Sequence, residues 1–265
     1  MRKDAQQQLP LSVAIIAYNE EDRIEDVIRS VQGWVQEIIV VDSHSQDKTP
    51  LLAKKLGAKV FQNPWPGYGP QKRFAEDQCS QKWILNLDAD ERVSTALKED
   101  LQALFAHRET MVAGYKIPIR EVFPHQQEPS FWAPAITRTR LYDKTKGRFR
   151  DSAVNDLVDL PSSETTKTLK GAIWHASMRS FSHTIYKNNL YTDAQMASSE
   201  FQARRPSGLR LLVEFPLSFC NAYFLKKWCF GGLYGFCLSM IYAFSKFQRL
   251  AKLYEKNLAF PKRRR

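Results

Sequence analysis

Cysteine is scarce in this 265-residue chain: Cys79, Cys220, Cys229 and Cys237 are the only four, and no two form a CxxC pair. A disulfide framework and a cysteine zinc site are therefore excluded as organising devices, and the three cysteines after residue 200 sit in an apolar stretch where the thiol acts as a small hydrophobe. Neither GxGxxG nor GxxxxGK[ST] occurs, so a dinucleotide fingerprint or a P-loop does not explain any phosphate site. The start, MRKDAQQQLP, is polar, and the apolar run after it ends at Tyr18-Asn19, without the pattern of a secretory leader. The chain is accordingly expected to stay in the cytoplasm.

Charge of one sign is also missing where it would signal nucleic acid. The chain carries +11, yet residues 1–200 balance to zero, and the whole excess lies in 201–265, with 13 Lys and Arg against Glu214 and Glu255. That same tail is apolar and aromatic, a combination that points to an anionic membrane surface and not to nucleic acid. Its uncharged stretch, WCFGGLYGFCLSMIYAFS from Trp228 to Ser245, has 18 residues, the lower limit for a span, and is diluted by Gly, Tyr and Ser. The segment before it is interrupted by Glu214 and Pro216. Helices lying in the membrane interface are favoured over a true span, with a helix pair docked on the catalytic domain as the third possibility.

What is present begins with an alternation. Leu11 to Ala17 is an apolar run, and Ile24, Val27, Ile28 and Val31 then recur at i, i+3, i+4, i+7. Glu37 to Val41 is a second strand ending at Asp42, Thr49 to Leu56 reads as helix, and Lys59 to Phe61 as a short strand. A Pro/Gly-rich loop, Asn63 to Pro70, leads to a helix over Gln71 to Gln78, a strand Trp83 to Leu87, and a helix Ser94 to Phe105 with Ser94 as N-cap. Alternation of this kind predicts an α/β domain with a mostly parallel sheet covered on both faces, and ligands outside the carboxyl ends of its strands. After residue 112 come short β segments, Ala113 to Ile119, Thr139 to Tyr142 and Thr168 to Trp174, with long polar loops. Three regions are expected: 1–112 as the first half of the α/β domain, 113–200 as a second half that looks like an acceptor-binding module, and 201–265 as a basic, apolar helical tail for membrane association.

The fourth strand runs out into Asp88-Ala89-Asp90. Side chains two apart on a strand share a face, and hard cations such as Mg2+ and Mn2+ prefer such oxygens, so the pair reads either as a cation site or as a strand end with an Asp N-cap. Tyr18 to Glu20, Asp42 to Asp47 and Asp88 to Asp90 each follow a strand end, and the three groups are expected to meet in one crevice.

LSVAIIAYNEE, EIIVVDSHSQDKT, WPGYGPQKRFA and WILNLDADERVS, in this order, together resemble family 2 glycosyltransferases of the GT-A (Rossmann-like) fold. The tail KKWCFGGLYGFCLSMIYAFSKFQRLAKLYE resembles the C-terminal region of bacterial enzymes that add a β-linked glucose to the inner-core heptose of lipopolysaccharide. The resemblance implies that Asp88 and Asp90 bind a Mg2+ or Mn2+ ion and the donor's ribose and diphosphate. It implies that Ala17, Tyr18, Glu20 and Asp42 hold the nucleoside, and that Gln71, Lys72 and Arg73 lie near the nucleotide. A histidine after a late strand matches His175, which would ligate the metal or touch the leaving diphosphate.

Inverting transfer also requires a base, worth about 10²- to 10⁴-fold in rate. Where the family often has a His-Glu pair after a basic loop, this chain has Asn155-Asp156, so Asp156 is the candidate, with Asp151 and Asp159 as competitors. His44 stands in place of a glycine common in the family's second-strand loop, and Phe131 and Trp132 are read as core in preference to an acceptor platform.

The expected activity is thus metal-dependent hexosyl transfer, from UDP-glucose to the heptose region of a lipid A-core glycolipid. It would take place peripherally on the anionic inner face of the cytoplasmic membrane of a Gram-negative bacterium, with no nucleic acid involved. Alternatives are transfer to polyprenyl phosphate or another surface polysaccharide, and metal-dependent nucleotidyl transfer.

Overall fold

In the computed structural model, which describes residues 8–107, 112–152, 157–161, 165–197 and 207–258, each early apolar run is a strand and each 3.6-periodic segment a helix. The order is β1 (Leu9–Ala17), α1 (Ile24–Val31), β2 (Val35–Asp42), α2 (Thr49–Lys55), β3 (Lys59–Gln62), α3 (Tyr68–Gln78), β4 (Trp83–Asp88), β5 (Glu91–Val93) and α4 (Thr95–Ala106). It continues with β6 (Gly114–Glu121), β7 (Ala135–Asp143), β8 (Arg148–Phe149), β9 (Val158–Asp159), β10 (Thr166–Thr168) and β11 (Ile173–His175). Three longer helices follow, α5 (Phe181–Ala197), α6 (Gly208–Cys220) and α7 (Gly232–Asn257).

The fold is α/β of the GT-A type. Strands run β3-β2-β1-β4-β7-β6-β11-β5 across one sheet, with β10 beside β6, while β8 and β9 form a separate pair. From β3 to β4 all pairing is parallel, which buries β1 on both faces and explains its unbroken apolar sequence. Beyond β4 the sheet is mixed, because β7 runs antiparallel to both β4 and β6, and β5 antiparallel to β11. Successive strands β1, β2 and β3 build outward to one side, whereas β4 returns to the other side of β1. That reversal makes a switch point between β1 and β4, and sheets of this kind bind ligands outside the carboxyl ends at such a point.

α1 lays Ile24, Val27, Ile28 and Val31 against the sheet, and α4 is capped by Ser94 Oγ, which accepts from Leu97 N at 3.1 Å. α3 starts three residues earlier than its periodicity predicts. Gly67, at φ +117°, turns the chain, and Pro70 is tolerated in a first helical turn that lacks intrahelical donors anyway. The expected strand Thr168 to Trp174 is in fact two, β10 and β11. Gly171 separates them, with Lys170 N and Gly171 N donating to Asp100 Oδ2 at 2.9 and 2.8 Å, so the backbone turns aside to meet α4.

Two compact units emerge, Met1–Val122 with Ala135–Ser177, and Phe123–Pro134 with Met178–Arg265. The first holds the sheet. The second is helical, and its core joins Phe123, Trp132, Ala133, Ala222, Trp228 and Leu238. In it, α6 runs through a π-helical turn (Asn221–Leu225), Lys227 at φ +62° and a 3-10 turn (Trp228–Gly231) into α7. Trp132 is buried there, in line with the core reading, whereas Phe131 is 74% exposed.

Candidate active site

Register aligns the ends of the three parallel strands: Ala17 pairs with Asp42, and Ile16 with Asp88. Asp42 is fully buried and accepts from Ser45 N at 3.0 Å and Ser45 Oγ at 2.5 Å, which curls the second-strand loop over the crevice. In that loop His44 sits at φ +60°, the left-handed region that suits glycine and that His tolerates at a small cost. The first-strand loop is tied to the same segment: Asn19 N donates to Ser45 Oγ at 2.9 Å, and Glu20 N to Thr49 Oγ1 at 2.8 Å. Tyr18, just before them, is 55% exposed. Ala17, Tyr18, Glu20 and Asp42 are therefore brought together. Glu20 is turned to Arg23, which it ion-pairs, and Arg23 in turn donates to the carbonyl of Ala176 at 2.9 Å.

α3 brings its buried first turns to the crevice. Gly69 allows this approach, since a Cβ there would lie 2.0 Å from the carbonyl oxygen of Arg150. Gln71 Nε2 donates to Ser43 Oγ at 2.9 Å, fastening α3 to the end of β2. Lys72, also fully buried, places Nζ 2.8 Å from Asp88 Oδ1. Arg73 turns elsewhere and donates to the carbonyl of Phe149 at 3.0 Å.

Asp88 is held from both sides. Arg140, from β7, donates to Asp88 Oδ2 at 2.9 Å, to Glu91 Oε1 at 2.8 Å and to Asn86 Oδ1 at 2.7 Å. Burial opposes ionisation of Asp88, but the Lys72 ammonium and Arg140 guanidinium outweigh it and hold the carboxyl well below its ordinary range. Glu91 goes the other way: burial raises its pKa to about 7, against the pull of Arg140 and with the Asp88 charge adding to the rise.

Asp90 belongs to a second group. Its Oδ2 lies 3.4 Å from His175 Nε2 and 3.5 Å from Arg23 Nη1, while His175 Nδ1 lies 3.3 Å from Glu121 Oε2. Burial disfavours the imidazolium, yet the carboxylates of Asp90 and Glu121 overcome it and push the His175 pKa up to about 11. Burial likewise opposes the Asp90 charge, and the hydrogen bond from His175 wins, lowering its pKa.

Among the described residues no three acid, His or Cys side chains gather into a ready-made cation site. Asp90 Oδ2 and His175 Nε2 lie side by side, but His175, held as the imidazolium by Asp90 and Glu121, would have to lose a proton before Nε2 could bind a cation. Asp90 is an oxygen donor of the kind Mg2+ and Mn2+ take, since these ions use few protein ligands and complete their shell with diphosphate oxygens and water. Both Asp88 oxygens are engaged by cationic side chains, so Asp88 is a fixed, charged acceptor at the end of β4.

Asp156 lies outside the described residues. Its flanks are held beside α3, where Gly69 N donates to the carbonyl of Ser152 at 3.0 Å, and Arg150 N to that of Leu157 at 2.8 Å. Of the competitors, Asp159 is paired to Arg150 at 2.7 Å, whereas Asp151 is exposed. A concavity of about 360 Å³ near Pro10, Trp83 and Asp143 lies at the opposite, amino end of β4, away from these acids.

Sequence reasoning missed Arg140, Glu91, Asn86, Arg23 and Glu121. Asn86 and Glu91 flank the acidic pair within WILNLDADE and were legible as polar residues at a buried strand end. Arg140 is recognisable only once β7 is known to pair with β4.

Comparison with known proteins identifies the family. The family model described as Glycosyl transferase family 2 matches residues 12–159. An uncharacterized glycosyltransferase of Rickettsia bellii is 38% identical over 94% of this chain and 87% of its own length. The lipopolysaccharide core biosynthesis glycosyltransferase LpsC of Rhizobium meliloti is 31% identical over 94% of this chain and 93% of its own. A crystal structure of glucosyl-3-phosphoglycerate synthase from Mycobacterium tuberculosis, in complex with Mn2+, UDP and glucosyl-3-phosphoglycerate, is 27% identical over 46% of each chain, with a TM-score of 0.33. With the family matched over more than half of its length and relatives aligned along nearly all of it, the chain belongs to glycosyl transferase family 2.

Proposed function

We propose that this transferase is an inverting hexosyltransferase that moves glucose from UDP-glucose to the heptose region of a lipid A-core glycolipid. The observation that carries the reading is the convergence of Ala17, Asp42, Asp88 and Asp90 at the strand ends flanking the switch point. Buried Asp42 and the exposed Tyr18 suit the base and ribose of a nucleotide, and Asp88, fixed by Lys72 and Arg140, suits a ribose hydroxyl. The relative LpsC, named for lipopolysaccharide core biosynthesis, supports the acceptor class.

In the reaction, an acceptor oxygen attacks the anomeric carbon as the bond to UDP breaks, and Asp156 takes the acceptor's proton, so an α-linked donor gives a β-linked product. Asp90, joined by His175 once its ring has given up a proton, would hold Mg2+ or Mn2+, which would supply charge neutralisation for the leaving diphosphate. Arg23 and Glu121 keep Asp90 and His175 in place. In this reading residues 1–112 serve the donor, 113–200 the acceptor, and 201–265 keep the enzyme peripheral on the anionic inner face of the cytoplasmic membrane, without a role in nucleic-acid binding.

The test is turnover of the purified full chain with a panel of UDP-sugars, either metal, and heptose-bearing lipid A-core acceptors. The expected result is UDP release and a β-linked hexose by NMR. Release of pyrophosphate would indicate nucleotidyl transfer, and turnover only with polyprenyl phosphate would move the acceptor; either result rejects the reading.

A further inference from the structure

Resting on the membrane-borne acceptor proposed above, we infer that one face of the α6–α7 hairpin is a docking surface for an anionic phospholipid bilayer, with α7 lying along the lipid surface and not across it. On α7, Leu233, Phe236, Met240 and Phe244 are all exposed, at i, i+3, i+7 and i+11, and so form a single stripe, with Leu233 85% exposed. α6 buries none of its residues and shows a matching stripe that includes Leu209 and Leu212, the latter 78% exposed. The two helices are joined where Phe219 and Tyr223 meet the Phe236 ring, at 5.5 and 6.1 Å. At the turn, exposed Phe230 contacts exposed Phe131 at 5.3 Å, which carries the apolar surface past the helix end.

Charge selects the occupant. Lys226 and Lys227 are exposed at the same turn, and the tail around them is strongly basic. A second copy would bring like charges together, whereas anionic headgroups complement them beside side chains suited to the acyl boundary.

Length and composition alone would let Trp228–Asn257 cross a membrane, since an 18-residue stretch within it reaches a mean hydropathy of 1.3. The contacts of the helix oppose this. Near its amino end, Tyr234 meets Phe181 at 4.9 Å and Phe123 at 5.5 Å, and Gly231 is so close to Trp132 that a Cβ would sit 2.6 Å from the indole. Near its carboxyl end, Lys252 Nζ bonds Asn189 Oδ1 and Thr192 Oγ1, each at 2.8 Å, and Asp193 Oδ1 at 2.6 Å on α5. Held to its own unit at both ends, α7 lacks the freely lipid-surrounded length of about 30 Å that crossing requires. Crossing by α7 would leave Lys226 and Lys227 on the side of the preceding chain and carry Lys256 and the basic run Lys262 to Arg265 to the far side, against the positive-inside preference.

The experiment is co-sedimentation of the purified full chain with phosphatidylglycerol/phosphatidylethanolamine vesicles and with pure phosphatidylcholine vesicles, beside an assay of UDP release on a detergent-dispersed acceptor. Binding to the anionic vesicles is expected, falling by about tenfold or more in L233S/M240S, with turnover in detergent retained. K227E, which alters an exposed side chain only, is expected to weaken anionic binding without changing the thermal midpoint, and it stands in should the double variant fold poorly. Equal binding by wild type and both variants would overturn the inference. So would conversion of a lipid-free oligomer to a monomer by L233S/M240S with vesicle binding unchanged, which would assign the face to a second copy. Loss of UDP release from the wild type, with vesicle binding intact, would reject the proposed reaction and leave the docking surface standing.

Discussion

The two compact units use their apolar residues in opposite ways. In the sheet unit Val13, Ile15, Ile28, Leu85 and Leu97 are fully buried, and polar residues such as Asp42, Lys72 and Asp88 gather at or beside the strand ends. In the helical unit Leu209, Leu212 and Leu217 of α6 and Leu233, Phe236, Met240 and Phe244 of α7 are exposed, and a small core around Trp132 and Trp228 is closed off. Net charge divides similarly, zero before residue 201 and +11 after it. On the proposed function, one unit would hold a polar ligand at its strand ends, and the other would meet an apolar and anionic surface outside the chain.

The sharpest way to break that comparison is at the crevice. Asp90→Ala removes a carboxylate proposed to hold the metal, and kcat is expected to fall by about 10³-fold or more, read as UDP release. Near-normal turnover would remove the metal-site argument. Asp156→Asn is expected to lower kcat by about 10²- to 10⁴-fold with little change in the donor's KM; an unchanged rate would pass the role of base to Asp151.

Stability separates the units further. Arg140→Met leaves Asp88 and Glu91 without their shared cation, and a loss of about 3–5 kcal/mol is expected from urea unfolding. Ile15→Ala, in the interior of β1, should cost about 2–5 kcal/mol, whereas Leu233→Ser should stay within about 0.5 kcal/mol. Similar losses for the last two would mean that the α7 stripe is core and the contrast between units is false.

The smallest effect concerns pH. Burial opposes the charge on Glu37, but Lys59, Ser12 and Ser80 hold its pKa below the ordinary 4.5. Its contribution is therefore present above pH 4.5 and lost as pH falls through the lowered folded value. Glu37→Gln should flatten that part of the acid limb in urea midpoints taken from neutral to acid pH; an unaltered limb would assign it to other carboxylates.

Much of the sheet unit was legible because local pattern and tertiary outcome agree there. Apolar runs ending at Ala17, Asp42 and Asp88 are strands whose ends align, and Ser94 caps α4 as its side chain predicts. The clamp on Asp88 was not legible, since Arg140 arrives through the pairing of β7 with β4, which no local signal encodes. Nor was the break at Gly171, where contact with α4 overrides strand propensity. α5 escaped for a different reason: Ile185, Tyr186, Leu190 and Tyr191 are exposed, so its apolar residues do not mark one buried face. The least legible part of the site is the base, because Asp156 departs from the family's residue pair.

The most direct measurement is calorimetric binding of UDP to the full chain in the presence of Mn2+, with Asp90→Ala beside the wild type. The account predicts saturable binding to one site that requires the ion and is lost or greatly weakened in the variant. Absence of UDP binding, or binding that is indifferent to both Mn2+ and Asp90, would contradict the claim that these strand ends form a nucleotide-sugar crevice.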